Sequence, residues 1–496
     1  MPEAVIVAAA RSPIGRAFKG SLKDMRPDDL AAQMVRAALD KVPQLDPAEI
    51  DDLLLGCGLP GGEQGFNMAR VVAVLLGLDN VPGTTVTRYC ASSLQTTRMA
   101  FHAIKAGEGD VFISAGVECV SRFVKGSSDS LPDTQNPKFA EARARTQKIA
   151  EGGLDWHDPR EDGELPDIYI EMGQTAENVA RLRGITRREQ DEFGVRSQNL
   201  AEQAIKNGFW ATDITPVTLP DGTVVSKDDG PRLGTTYEKV AALEPAFRPN
   251  GTVTAGNCCP LNDGAAALVI MSDVKAAQLG ITPLARIVAT GVSALSPEIM
   301  GLGPVEATRR ALAKAGMSIK DIDLVEINEA FAAQVIPSYR DLNIDIDKLN
   351  VNGGAIAVGH HRPGDDVRGR RPGHGDDHRA AQLTTAAEQH TKAARATQGG
   401  VGRVVIVPRC QLKRLMRLRS CSCTIARAKP WVSPCSCASQ LARSSHRRKA
   451  GPLSMARNHS RRGRPVTAGT RSISLRCISG EWLSDMGTST GEASLG

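Results

Sequence analysis

Two short stretches of this chain recur at almost the same offset. RAALDK at residues 36–41 is echoed by RRALAK at 309–314, and EIDDL at 49–53 by DIDLV at 321–325, offsets of 273 and 272. In each place a helical segment precedes a turn and an apolar strand, so the pattern predicts one α/β unit used twice. Up to residue 360, short apolar strands alternate with Ala/Leu-rich amphipathic stretches punctuated by glycine, which is the period of an α/β protein. Residues 120–248 read differently, charged and broken by Pro and Gly, and are expected to form an inserted subdomain covering a site between the halves. Within them Thr186 and Glu189 have the spacing of a capping box opening a helix over 185–205. The expected domains are a first half at 1–272 including the insertion, a partial second half at 273–360, and a tail at 361–496.

That last boundary is compositional. The net charge of +6 divides into −11 over residues 1–360 and +17 over 361–496. The acidic body argues against a phosphate-tracking surface and hence against nucleic acid as a partner. The tail holds 21 Arg against 4 Lys, only Trp431 and Trp482 as aromatics, and one stretch, 401–407, with a strand pattern. A basic disordered tail and a C-terminus read in a shifted frame both fit this composition. Eleven cysteines, an odd number, argue against a disulfide framework. The apolar stretch at 4–10 follows Glu3 and is too short to span a bilayer, so a soluble, cytoplasmic protein without membrane contact is expected.

Chemistry concentrates in four segments. Residues 84–89 read as a strand, Cys90 follows, and a helix runs to Gly107 with Leu94, Phe101 and Ile104 inward. This sets the Cys90 thiol at a helix N-terminus, where unpaired N–H groups favour a thiolate. Such a cysteine is a candidate nucleophile, although a small buried hydrophobe is the commoner use of the residue. VTAGNCCPLNDGAAALVIMS (253–272) joins a loop containing Gly256 to an apolar strand. LVEINEAFAAQ (324–334) ends a strand in Asn328 and Glu329, which could equally be cap residues. NVNGGAIAVGH (350–360) presents turn glycines and His360, which could equally be a surface histidine. Cys-x-Cys pairs at 421/423 and 435/437 with His446 and His459 could be read as a zinc site, but their spacing departs from the usual Cys-x-x-Cys, so no metal site is expected. The Gly-rich stretch 56–65 lacks both GxGxxG and a Lys-Ser/Thr ending, so no nucleotide cofactor is implied.

Taken together, ARSPIG (10–15), Cys90, MGQTAENVA (172–180), TAGN (254–257), NDGAAA (262–267), NEAF (328–331) and GGAIAVGH (353–360) resemble the thiolase family. The likeness is nearest to its bacterial 3-ketoacyl-CoA thiolases or acetyl-CoA acetyltransferases and spans residues 1–360. It implies a duplicated thiolase-like fold with an inserted loop subdomain and a second half left incomplete. It implies thiolysis of a 3-ketoacyl-CoA, or condensation of acetyl-CoA, through an acyl-cysteine on Cys90. His360 would take the thiol proton and Asn328 would support an oxyanion hole. The insertion would hold the coenzyme A tail, with Gly256 near the pantetheine arm and Met172 also on the coenzyme side. Coenzyme A is then a substrate, no cofactor is needed, and a homodimer or homotetramer is expected.

Three positions depart from the family pattern. Thr87 stands where an Asn is common, His361 where Gly-His is followed by Pro, and no cysteine after residue 360 has Gly two positions later. The family's Cys-x-Gly thiol moves a proton at the substrate's α-carbon, so impaired catalysis is expected. The alternative is an inactive coenzyme A-binding or subunit-interaction protein, and condensing enzymes of the same fold rank below thiolase because their His motifs differ.

Overall fold

The computed structural model describes residues 1–125, 134–152 and 155–360 together with the strands Ala381–Thr385 and Arg403–Pro408. The first sheet has seven strands: β1 (Ala4–Arg11), β2 (Asp52–Gly56), β3 (Gly83–Val86), β4 (Val111–Cys119), β5 (Asn262–Ser272) and β6 (Ala285–Arg286) lie in the order β3-β2-β4-β5-β1-β6, and Gly15–Arg16 pairs with β5 off this path. β2 is parallel to β3 and β4, whereas β4 and β1 both run antiparallel to β5. Every residue of β5 is buried, which is why 262–272 is almost continuously apolar rather than alternating.

Helices α1 (Pro27–Leu39), α2 (Met68–Leu75) and α3 (Ser92–Ala106) cover this sheet. α1 turns Leu30, Met34, Val35 and Ala38 inward, a spacing of four, one and three that keeps one helical face apolar. These side chains join one core with Leu53, Leu55, Ile113 and Val269.

The insertion supplies α4 (Ala140–Ala150), α5 (Met172–Arg183) and α6 (Arg187–Lys206) and a hairpin of two-residue strands at Val217–Thr218 and Val224–Val225. The capping box opens α6 as anticipated: Thr186 Oγ1 accepts the Glu189 N–H at 3.2 Å, and Glu189 Oε2 accepts the Thr186 N–H at 2.8 Å. The Thr186 hydroxyl, which donates to Glu189 Oε2 at 2.7 Å, then the Thr186 N–H and Arg340 hold the Glu189 carboxyl down at about 2. Arg11 at the end of β1 is the bolt between insertion and sheet. Its guanidinium donates to Asp213 at 2.5 Å and to both Asp228 oxygens at 2.8 and 3.0 Å, all largely buried. A buried pair of this kind fixes geometry more reliably than it adds stability.

The second half contains β7 (Ala289–Val292), α7 (Gly303–Ala315), β8 (Leu324–Ile327), α8 (Ala332–Asp341) and the short α9 (Ala355–Val358). The two recurring stretches fall on matching elements. α1, a 3-10 turn at Pro47–Glu49 and β2 correspond to α7, a 3-10 turn at Ile319–Asp321 and β8. The second sheet has the order β7-β10-β9-β8, in which β9 (Ala381–Thr385) runs parallel to β8 and β10 (Arg403–Pro408) antiparallel to β9 and β7. Two strands of this sheet therefore come from beyond residue 360, where a tail is expected; β10 includes most of the one stretch with a strand pattern. Among the described residues no helix is long and apolar enough to cross a membrane.

Candidate active site

The strand expected at 84–89 ends at Val86, because the chain turns sharply before Cys90. Tyr89 takes a left-handed φ of 46°, Tyr89–Ala91 forms a 3-10 turn, and α3 follows directly. Ser92 closes the turn, accepting the Arg88 N–H at 2.8 Å and donating to the Tyr89 carbonyl at 2.5 Å. The N-terminus of α3 lies flat on the sheet at two glycines. A Cβ on Gly56 would stand 2.6 Å from the Ser93 nitrogen, and one on Gly116 would stand 1.8 Å from Ser93 Oγ. Only glycine permits such an approach, and it brings the half-buried Cys90 to the end of the strands. Thr87 makes its own bond, donating to the Gly58 carbonyl at 2.8 Å.

From the second half, β8 delivers Asn328 and Glu329 into a loop zipped to residues 257–259. Cys259 N–H donates to the Ala330 carbonyl at 3.1 Å, and Ala332 N–H donates to the Asn257 carbonyl at 2.8 Å. Glu329 is fully buried and accepts from Ser197 Oγ at 2.5 Å, Asn350 Nδ2 at 2.8 Å and the Ile356 N–H at 3.1 Å. Burial pushes this carboxyl upward, against those three donors. Its backbone lies in the loop after β8, yet its side chain ties segment 350–358 to α6.

His360, half-buried, is tethered through its backbone N–H to Asn262 Oδ1 at 3.2 Å, while Asn262 Nδ2 donates to the Gly15 carbonyl at 3.1 Å. Gly359 has φ 96°, and a Cβ there would lie 2.7 Å from the Asn262 amide.

Segment 256–262 is thus the meeting point. Cys259 contacts the NEAF loop, and its thiol is pushed well above its usual range by burial first, then by the charges of Cys258, Cys90 and Glu329. Asn262 holds His360. The NEAF loop and the backbone of the histidine therefore meet on one loop, where Cys259 senses the charge of Cys90. Gly256 lines a cavity of about 290 Å³ with Arg16, Gln198, Arg232, Lys239 and Ile356, between the insertion and this loop. Cys258 next to it is pushed up to about 12 by burial, with Arg232 pulling the other way. Met172 does not line this cavity. It is 2% exposed at the start of α5, packed in the second core with Phe193, Val253 and Phe331, where an apolar side chain is better placed than at a charged tail.

Asn262, Asn350, Ser197, Gln198 and Arg232 join the site without having been singled out. The first two lie inside motifs already quoted, whereas nothing local marks the other three. Among the described residues no cluster of His, Cys, Asp and Glu could hold a metal ion. His361, the six later cysteines, His446 and His459 lie outside the described residues.

Comparison with known proteins places the chain in a family. Residues 4–274 match the family model described as thiolase, N-terminal domain, and 281–366 that described as thiolase, C-terminal domain. The chain is 42% identical over 373 residues to a 3-ketoacyl-CoA thiolase of Bacillus subtilis (strain 168), an alignment spanning 73% of this chain and 89% of that relative. It is 44% identical over 369 residues to a 3-oxoadipyl-CoA/3-oxo-5,6-dehydrosuberyl-CoA thiolase of Escherichia coli (strain K12), with the same coverage of 73% and 89%. The fold is similar to the dimeric peroxisomal thiolase of Saccharomyces cerevisiae, with a TM-score of 0.69 and 30% identity over 82% of this chain and 97% of that one.

Proposed function

Since the chain belongs to the thiolase family and is a thiolase-type acyltransferase, we propose that it carries acyl groups between coenzyme A thiols through a thioester on Cys90. As Cys90 Sγ attacks the carbonyl carbon of an acyl-CoA, its thiol proton passes to His360, the coenzyme A sulfur leaves, and His360 returns that proton to it. In the reverse direction His360 accepts the proton of the incoming thiol. Asn328, one residue from the buried and fixed Glu329, supports the developing oxyanion. The coenzyme arm enters through the cavity at Gly256, where Arg16, Arg232 and Lys239 offer positive charge to a phosphorylated tail.

The hydrogen bonds that bring the NEAF loop and the His360 segment together on residues 257–262, with Cys259 sensing the charge of Cys90, carry this reading. Cleavage or formation of the C2–C3 bond of a 3-ketoacyl-CoA also requires proton transfer at the α-carbon. The family's Cys-x-Gly thiol is missing from the sequence, so acyl transfer onto Cys90 should outlast thiolysis and condensation. A chain that binds coenzyme A without turnover is the second reading, favoured by that same missing motif. Self-association as a homodimer or homotetramer is part of the proposal: β3, which leads into the Cys90 turn, stands at an edge of the first sheet. So are a cytoplasmic site of action and chemistry without a further cofactor.

The test is the intact mass of the purified full-length chain before and after acetyl-CoA. One added acetyl group, absent in Cys90→Ala, is the expected result. No acetyl gain in the native chain, with coenzyme A still bound, would replace this reading with the binding one.

A further inference from the structure

One carboxylate beneath the nucleophile turn plays no part in the acyl transfer described above. Glu118, partly buried near the end of β4, accepts the Gly58 N–H on Oε2 at 2.6 Å and Gln64 Nε2 on Oε1 at 2.6 Å, with Cys57 Sγ 3.9 Å from Oε1. Gln64 is itself held, accepting the Cys119 N–H at 2.8 Å and donating to the Leu59 carbonyl at 2.9 Å. On its other side, segment 57–58 is bonded to the chain flanking Cys90 at three points. Cys57 N–H donates to the Val86 carbonyl at 3.0 Å, the Thr87 hydroxyl to the Gly58 carbonyl at 2.8 Å, and the Ser92 hydroxyl reaches the Cys57 carbonyl at 3.4 Å. A Cβ on Gly58 would stand 2.5 Å from Glu118 Oε2 and 3.7 Å from the Tyr89 Cα, so no side chain separates carboxylate, loop and turn.

We propose that Glu118 is the positioning residue of the Cys90 turn, acting through Gly58 and Thr87, so that nucleophile reactivity follows the charge on this carboxyl. The inference rests on the reading of Cys90 as the acyl acceptor. As a carboxylate, Glu118 offers acceptor sites to both donors; protonated, it makes one oxygen a donor and weakens its hold on Gly58 or Gln64. Removal from water pushes the group up to about 7, with the Gln64, Gly58 and Leu59 donors pulling down, so the change falls near neutrality.

The groups facing it are the Cys57 and Cys119 thiols. Both are pushed well above their usual range by burial, with the Glu118 charge adding to it, and so stay neutral there. Beyond Cys119 lie Arg122 and Asp263; the latter is pushed up to about 6 by burial and titrates close by. A step owed to Asp263 survives substitution of Glu118, and that separates the two carboxyls.

The experiment measures the rate of acetyl transfer from acetyl-CoA to Cys90 in the full-length chain by intact mass, across about two pH units either side of neutrality. Native chain, Glu118→Gln and Thr87→Val are compared, and iodoacetamide alkylation of Cys90 is measured in parallel. The native rate should rise through an inflection near 7. Glu118→Gln, whose amide cannot accept from both donors, should lose that inflection and react about ten-fold more slowly above it. Thr87→Val, which cuts the link from Gly58 to the turn and leaves the two at Cys57, should slow the reaction while Glu118 still titrates. If Glu118→Gln loses its folded circular dichroism, Thr87→Val alone decides. A native chain that is alkylated on Cys90 but never acetylated sinks the acyltransfer reading instead, and the alkylation profile then decides this one. Rates and pH profiles equal to native in the folded variants would overturn the proposal.

Discussion

The two halves use the same helix, 3-10 turn and strand to opposite ends. In the first, β2 runs into a loop that braces the Cys90 turn, and the supporting carboxylate, Glu118, is only partly buried. In the second, β8 runs into NEAF, whose Glu329 is sealed in the core by donors from Ser197, Asn350 and Ile356. The duplicated scaffold thus carries one brace at the margin of the core and one sealed inside it. The difference teaches that an α/β unit specifies where its strand ends, while the residues around that end decide whether the site can adjust.

The largest expected effect breaks the locked side. Glu329→Ala leaves a hydroxyl, an amide and a backbone N–H without their partner in the core, and should cost about 3 kcal/mol or more in urea unfolding. A cost below about 1 kcal/mol would mean that this half is no more rigid than the other. Next in size is a matched pair. A Cβ at Gly354 would lie 2.1 Å from the Glu329 carboxyl carbon, and one at Gly58 2.5 Å from Glu118 Oε2. Overpacking costs about 1–3 kcal/mol, and Gly354→Ala should fall toward the upper end because Glu329 is pinned, with Gly58→Ala toward the lower. Equal melting temperatures for the two variants would erase the contrast.

The smallest effect is a slope. Glu118 is raised from 4.5 to about 7, so the folded chain keeps its proton at pH values where the unfolded chain has lost it. Its contribution to stability is therefore fully present below about 4.5 and is lost as the pH rises through about 7. Glu118→Gln should flatten the fall in unfolding free energy over that window; an unchanged slope would assign the proton elsewhere.

What the sequence revealed was local. The strand–turn–helix at Cys90, the capping box at Thr186 and the paired units at 36–53 and 309–325 each lie within a run short enough for periodicity and capping chemistry to report. The turn shortened β3 by three residues, because the left-handed Tyr89 leaves no β signal to lose. Contacts across sequence were silent. Ser197 reaches Glu329 over 132 positions and His360 reaches Asn262 over 98, and no period or spacing encodes either. Met172, inside a quoted motif, is packed in the second core. Likewise Ala381–Thr385, with little apolar pattern, pairs with β8 all the same.

The seat of α3 on Gly56 and Gly116 has a consequence for engineering. With Ser92 and Ser93 pressed directly against strand backbone, the platform under residue 90 is set by main chain rather than by exchangeable side chains. A library that varies residue 90 to install another reactive group inherits its position and exit direction without redesign, provided both glycines stay fixed. Variation of those two positions, remote as they look in sequence, would relocate the reactive atom itself.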